Sequence, residues 1–257
     1  PIWALPVWST NTMVIGLPVL QSLSKEQFEC VIARRMGQFS KRYNTLTNWL
    51  YQLRAIWQHY CVIYRKQNDF GFQPLKWYFA AYAPFYKMVS LHAARLDELN
   101  ADTYAMELYN HEVVLEMITA DALCRWYLQN QFWPAVYKIA SVETNSLPAP
   151  HTKMASAVQT IRNGDKLDNL IDKVYKEKPR PGDAIPSLHD RVKNIGHDKP
   201  QMKKQTTGNA AEFYLGTSVK GVIHVIDKLW LKSFLEQRKL RRQKQQKQVT
   251  SEQVTSA

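Results

Sequence analysis

At 257 residues, with 45% hydrophobic and 12% aromatic content, the chain is long enough to bury a sizeable core and too apolar to remain disordered. Its formal charge of +12 favours acidic surfaces, whether nucleic acid, anionic lipid or acidic protein. No apolar run approaches the roughly 18 residues of a membrane span, and no Gly-rich phosphate loop, G-x-S-x-G elbow or C-x-x-C pair occurs.

Residues 1–20 carry Trp3, Leu5, Val7 and Trp8, then the apolar run Met13 to Leu20. Their β-branched content and flanking Pro and Gly predict an extended segment, one strand at a sheet edge, because Pro18 cannot donate a ladder hydrogen bond. No charged leader or small-residue cleavage site follows Pro1, so no signal peptide is expected, and residues are expected to precede Pro1. A helix should start at Ser24, whose hydroxyl can cap the first N–H groups while Gln27 completes a capping box. Phe28, Val31, Ile32, Met36 and Phe39 recur on it at helical spacing as an apolar stripe. Arg34 and Gln38, four residues apart, share a face.

The helical pattern runs on past a break near Ser40 to Asn44, through Trp49, Leu50, Leu53, Ile56, Trp57, Tyr60 and Tyr64, to a loop at Asn68 to Pro74. A second helical region is expected from about Leu75 to Glu107, kinked at Pro84. Its early aromatics, Trp77, Tyr78, Phe79, Tyr82, Phe85 and Tyr86, are read as core. Near its end Glu98 and Asp102 stand at i, i+4 on one face, which taken alone is a solvated acidic face. Further helices are predicted over His111 to Asn130, from Phe132 onward, and over His151 to Glu177 after a linker at Ser146 to Pro150.

A loop at Lys178 to Asp183 precedes a short helix from Ser187 to Val192, and 197–208 is a polar stretch. Ala210 to Leu235 is helical, with Leu215, Val219, Val222, Ile223, Ile226, Leu229 and Trp230 on its apolar face. Beyond Glu236 a fraying helix end gives way to a disordered basic tail, 236–257. Residues 228–247 hold Lys228, Lys232, Arg238, Lys239, Arg241, Arg242, Lys244 and Lys247 against Glu236. Cys30, Cys61 and Cys124 are odd in number and lie in apolar helical patterns, which reads as packed, reduced thiols.

Several separated segments together resemble the catalytic domain of the HtpX-like zinc metallopeptidases, relatives of the CAAX prenyl endopeptidases. They are Ile15 to Phe28, Val31-Ile32-Ala33, Gly37, Phe39-Ser40, Trp49 to Arg54, Glu98-Leu99-Asn100-Ala101-Asp102, Pro186 to Arg191 and Asn209 to Gly216, in family order across about residues 13–235. The resemblance implies a gluzincin-like domain over 1–235, mainly α (α+β), with a small N-terminal β element. In active relatives an H-E-x-x-H helix supplies two zinc-binding histidines and the glutamate that activates water. Here those positions are Arg34, Arg35 and Gln38, and the later active-site histidine corresponds to Ile185. Glu98 matches the third zinc ligand and Asp102 the supporting acid of its helix.

An inactive homologue, a pseudopeptidase binding no zinc, is therefore expected. Glu98 should be neutralised by Arg34 or Arg35 in the metal's place, Arg34 being favoured by its position, with Gln38 adding a hydrogen bond. The family likeness also implies a protein or peptide partner and a bacterial setting, in the cytoplasm or at the cytoplasmic face of the inner membrane. Attachment there would come through an upstream region or the basic tail. Two other readings remain open. One is an active zinc endopeptidase with ligands from His59, His92, His111 or His189, no two of which stand at i, i+4. The other is a binding module whose basic tail meets anionic membrane; nucleic acid is disfavoured, because no aromatics interleave with the tail's cations.

Overall fold

A computed structural model describes the backbone of residues 13–39, 73–142, 148–179, 182–205 and 208–255. The described elements are helical: α1 (Leu17–Ser22), α2 (Lys25–Phe39), α3 (Gln73–Leu108), α4 (His111–Tyr127), α5 (Trp133–Val142), α6 (Pro150–Arg162), α7 (Leu167–Lys176), α8 (Leu188–Asn194), α9 (Ala210–Leu215) and α10 (Val219–Thr255). A π-helical turn, Leu128–Phe132, joins α4 to α5, and a 3₁₀ turn, Gly216–Ser218, joins α9 to α10. The chain is thus mainly α. No described helix is long and apolar enough to cross a membrane.

The strand expected over the N-terminal segment is not formed by its described part. Leu17–Ser22 is a helix entered from extended Gly16. Pro18 suits its first turn, where a backbone N–H has no intrahelical partner to lose. No strand occurs among the described residues; Ser24 and Asn209 form one isolated antiparallel bridge. Residues 1–12 and the helix and loop expected between 40 and 72 lie outside the described residues.

Other boundaries differ for identifiable reasons. Gln73 and Pro74, expected in a loop, open α3, and Pro84 lies inside that helix. Trp77, Tyr82 and Phe85, expected in the core, are exposed. The predicted helix from His151 to Glu177 is two helices, broken at the turn-forming run Asn163-Gly164-Asp165-Lys166. The helix expected from Ala210 to Leu235 is interrupted at Gly216, whose φ of 49° favours glycine. Leu229, placed on its apolar face by spacing, is exposed. Past Glu236, where disorder was expected, the backbone stays helical to Thr255.

Contacts gather the chain into two units. The first holds Lys25 to Leu123 and Asp165 to Lys204. In it α2 packs along α3, α3 against α8, and α7 against α8. Its buried side chains include Phe28, Val114, Leu115, Met117, Ile118, Leu188 and Val192. The second unit holds Gly16 to Ser24, Cys124 to Gly164 and the chain from Gln205 onward. There α1 packs against α6 and α9, and α6 against α10. Cys124, Leu128, Phe132, Val136, Met154 and Val158 form its core, with Trp133 and Trp230 packed on it.

Within the second unit, α6 starts at Pro150 with no side-chain cap from Ala149. Asp227 of α10 fills that role: its carboxylate accepts the backbone N–H groups of His151 (2.9 Å) and Thr152 (3.1 Å) and the Thr152 hydroxyl (2.7 Å). Burial works against its charge, but these donors hold its carboxyl below the usual range. The His151 ring lies 2.8 Å from the same carboxylate.

The close approach of α2 to α3 rests on Gly37. A Cβ there would overlap the Tyr104 ring and lie 3.0 Å from the Tyr104 Cβ. Gly37→Ala would gain about 1 kcal/mol of helix propensity, against about 1–3 kcal/mol for overpacking. Because the obstacle is the fixed stem of a ring, the second term should win. The variant is expected to unfold at lower urea than the parent, by about 1 kcal/mol of stability.

Candidate functional site

The site forms where α2 crosses α3 and α8 joins them. α2 turns its Gln27, Cys30, Arg34 and Gly37 face inward, all four buried, while Met36 of the predicted apolar stripe is exposed. That places a guanidinium within the packed helices. α3 supplies Glu98 and Asp102 from one face, together with the small residues Ala101 and Ala105, which are buried and let α2 approach. α8 is short but well started: Ser187 accepts the Asp190 backbone N–H at 3.0 Å. Leu188 and Val192 point inward, and Arg191 between them shares that side.

Arg34 binds both acids of α3. Its Nε donates to Asp102 Oδ1 at 2.5 Å, and its Nη2 donates to Glu98 Oε2 and, at 3.2 Å, to the Glu98 carbonyl oxygen. Arg35 donates from Nη1 to Glu98 Oε1 at 2.9 Å, so each Glu98 oxygen faces a guanidinium. Arg191 grips Asp102 with two prongs, Nε to Oδ2 at 2.8 Å and Nη2 to Oδ1 at 2.9 Å, and reaches Asp121 of α4 with Nη1 at 3.4 Å. Three guanidinium groups thus meet three carboxylates. Asp102 is fully buried, and the Arg34 and Arg191 side chains nearly so.

The surroundings set the protonation states. Burial alone would raise the Glu98 carboxyl, but Arg34 and Arg35 together outweigh it and bring Glu98 down to about 2. Its neighbour Asp97 shifts the other way: burial first, and then the Glu98 charge, push it up to about 6. Burial opposes the Arg191 charge, yet Asp102 and then Asp121 shift its pKa upward. The buried Cys30 thiol is pushed up to about 12, by burial first and then by Asp102, which leaves it an unreactive packed group.

These contacts bring Arg34, Arg35, Glu98 and Asp102 together. Gln38 lies on α2, but its side chain is outside the described residues; Ile185 is half-buried and aliphatic, with no donor atom for a metal. His92 and His111 are exposed, His189 lies beside the Tyr175 ring at 5.0 Å, and His59 is outside the described residues. Cys30 and Cys124 are buried, and Cys61 is outside the described residues.

Zinc requires ligands with available lone pairs, and a guanidinium has none. Here guanidinium groups take the Glu98 and Asp102 oxygens, so the residues present do not fit the ion. No group of three or more His, Cys, Asp or Glu is placed to hold a metal among the described residues.

Arg191 and Asp121 are two of the six charged groups of the network and have no site role in the sequence reading. A signal for Arg191 was present: it stands between Leu188 and Val192 in a short capped helix, where a cation on the apolar side needs a buried acid. Asp121, on a helix rich in apolar residues, gave no such hint. No protein-family model, curated protein or solved structure matches the chain.

Removing Arg34 alone would leave Glu98 to Arg35 and Asp102 to Arg191, one buried cation short. Arg34→Met is expected to cost about 3–5 kcal/mol at neutral pH, the range for breaking a buried pair. The parent's Glu98 is held below its unfolded value near 4.5, so its contribution is present above that pH and is lost as pH falls from about 4.5 toward 2. The variant's deficit should therefore shrink on going from neutral pH to about pH 4. Urea denaturation of both proteins at the two pH values checks it; an equal deficit at both would mean that Glu98 charge is not what Arg34 neutralises.

Proposed function

We propose that the chain is a catalytically inactive homologue of the zinc metalloendopeptidases it resembles, a pseudopeptidase in which a guanidinium stands in for the metal. The observation that carries this reading is Arg34, which donates to the two acids that match the ligand and its support, Glu98 and Asp102. A peptidase of that class needs a Lewis acid to polarise the scissile carbonyl and a base to activate water. Arg34 is a permanent cation without a lone pair, and Arg35, where the base would be, cannot accept a proton. Both side chains already spend donors on Glu98.

In this reading the domain is kept for binding a protein or peptide partner. The buried thiol of Cys30 suits a reducing compartment, such as the cytoplasmic side of a bacterial inner membrane.

The test is metal content and proteolysis on one preparation. The purified chain, loaded with zinc and desalted, is expected to retain well under one equivalent and to leave casein intact with or without chelator. Stoichiometric zinc together with chelator-sensitive cleavage would favour the active-enzyme reading instead. The combined variant Arg34→His, Arg35→Glu and Gln38→His removes both cations and offers two imidazoles beside Glu98; it is expected to gain zinc, read as metal retained and as a raised melting temperature. Failure of a folded variant to gain zinc would remove the claim that this is a former metal position.

A further inference from the structure

α10 presents two unlike faces. Inward, Asp227 caps α6, Trp230 and Phe234 stack on each other at 5.3 Å, and Tyr137 stacks on Phe234 at 6.2 Å and lies tilted against Trp230 at 6.4 Å. Outward, Val225, Leu229, Lys232, Glu236 and Leu240 recur at helical spacing along one line, with Lys228, Leu235 and Lys239 beside it. The apolar members of that outward face are not covered: Val225 is 56% exposed, Leu229 62%, Leu240 56% and Leu235 37%. Lys228, Lys232 and Lys239 are exposed as well, against the single acid Glu236.

We infer that the outward face of α10 is a docking surface for an anionic lipid bilayer, on which the helix lies in the interface plane. Aliphatic side chains flanked by lysines are what such a helix needs: the former enter the boundary between headgroups and acyl chains, and the lysine stems run along them to lipid phosphates. Charge complementarity selects this occupant over others. A second copy meeting the same face would bring three lysines per glutamate against three more. A nucleic acid would find cations but no outward ring to stack on, because Trp230 and Phe234 are turned inward.

The face requires no refolding to act, since its inner side is already pinned by Asp227 and the rings. It is separate from the Arg34 and Glu98 site, so neither claim depends on the other.

The experiment is sedimentation of the full chain with vesicles of phosphatidylcholine alone, or containing about one third phosphatidylglycerol, at about 0.05 and 0.5 M salt. Binding is expected to the anionic vesicles at low salt, to weaken at high salt, and to be absent on neutral ones. Lys228→Gln, Lys232→Gln and Lys239→Gln together should weaken it about a hundredfold, at about fivefold for each lysine. Val225→Gln with Leu229→Gln should weaken it at least about tenfold through the lost apolar burial. Because all five positions are exposed, far-UV circular dichroism should be unchanged, and either set suffices if the other misfolds. No binding to anionic vesicles, equal binding to neutral ones, or binding unchanged in both variants would overturn the inference. So would an oligonucleotide that displaces the chain from vesicles, or a dimer that either variant set dissociates.

Discussion

Arg34 lies inside a helix crossing, nearly inaccessible to water, and holds two carboxylates from one face of α3. Burying an ion is expensive: the effective penalty is several kcal/mol for each, and Coulomb attraction offsets it only if the remaining donors and acceptors are also satisfied. That constraint explains why the cluster is larger than one pair. Arg34 alone cannot saturate Asp102, and Arg191 covers its second oxygen; Arg34 alone cannot saturate Glu98, and Arg35 covers its second oxygen. Once the acids sit on α3, the positions of α2 and α8 follow from where forked donors must stand. The packing of the first unit is thus as much an electrostatic arrangement as a hydrophobic one.

This explains which parts of the site could be read in the sequence. The pairing of Glu98 and Asp102 on one face followed from helical geometry, and so did the Ser187 start of α8. The orientation of α2 did not. Apolar spacing picked Phe28, which is buried, and Met36, which is exposed, but not Gln27, Cys30, Arg34 and Gly37, which are buried. Periodicity assumes that the interior is apolar; a helix that buries a neutralised cation breaks the assumption, and only the acids on another helix can say so. Arg191 and Asp121 are further cases of long-range pairing that no local pattern encodes. At the N-terminus the limit was different. A short apolar run with β-branched residues suits strand or helix equally, and Pro18 is a missing ladder donor in the one and a helix starter in the other.

A guanidinium and a metal ion neutralise buried acids in different ways. Zinc ligands must be deprotonated, so a zinc site loosens as pH falls through the titration of its histidines, and it can be emptied by a chelator. A guanidinium is covalently part of α2 and stays charged at every accessible pH. The cation that the acids of α3 require is therefore always present, and the titration passes to Glu98 itself, which is held near 2 and keeps its charge through the ordinary range. Lysine could not do the same. Its single ammonium cannot span the Nε and Nη2 geometry by which Arg34 reaches two acids one helical turn apart.

The second unit uses a buried carboxylate to a different end. The charge of Asp227 is held by the N-terminus of α6, through the backbone N–H groups of His151 and Thr152. Because these donors are fixed to the helix, they fix the rotation of α10 about its own axis. The rings of Trp230 and Phe234, one and two turns further on, extend the same contact along α5 through Tyr137. With the inner line set by one carboxylate and two rings, the outer line of Val225, Leu229 and Leu240 cannot rotate inward to hide, although each would gain by burial. Their exposure follows from a constraint on the opposite side of the helix, and a surface held open in this way can receive a partner without an ordering cost.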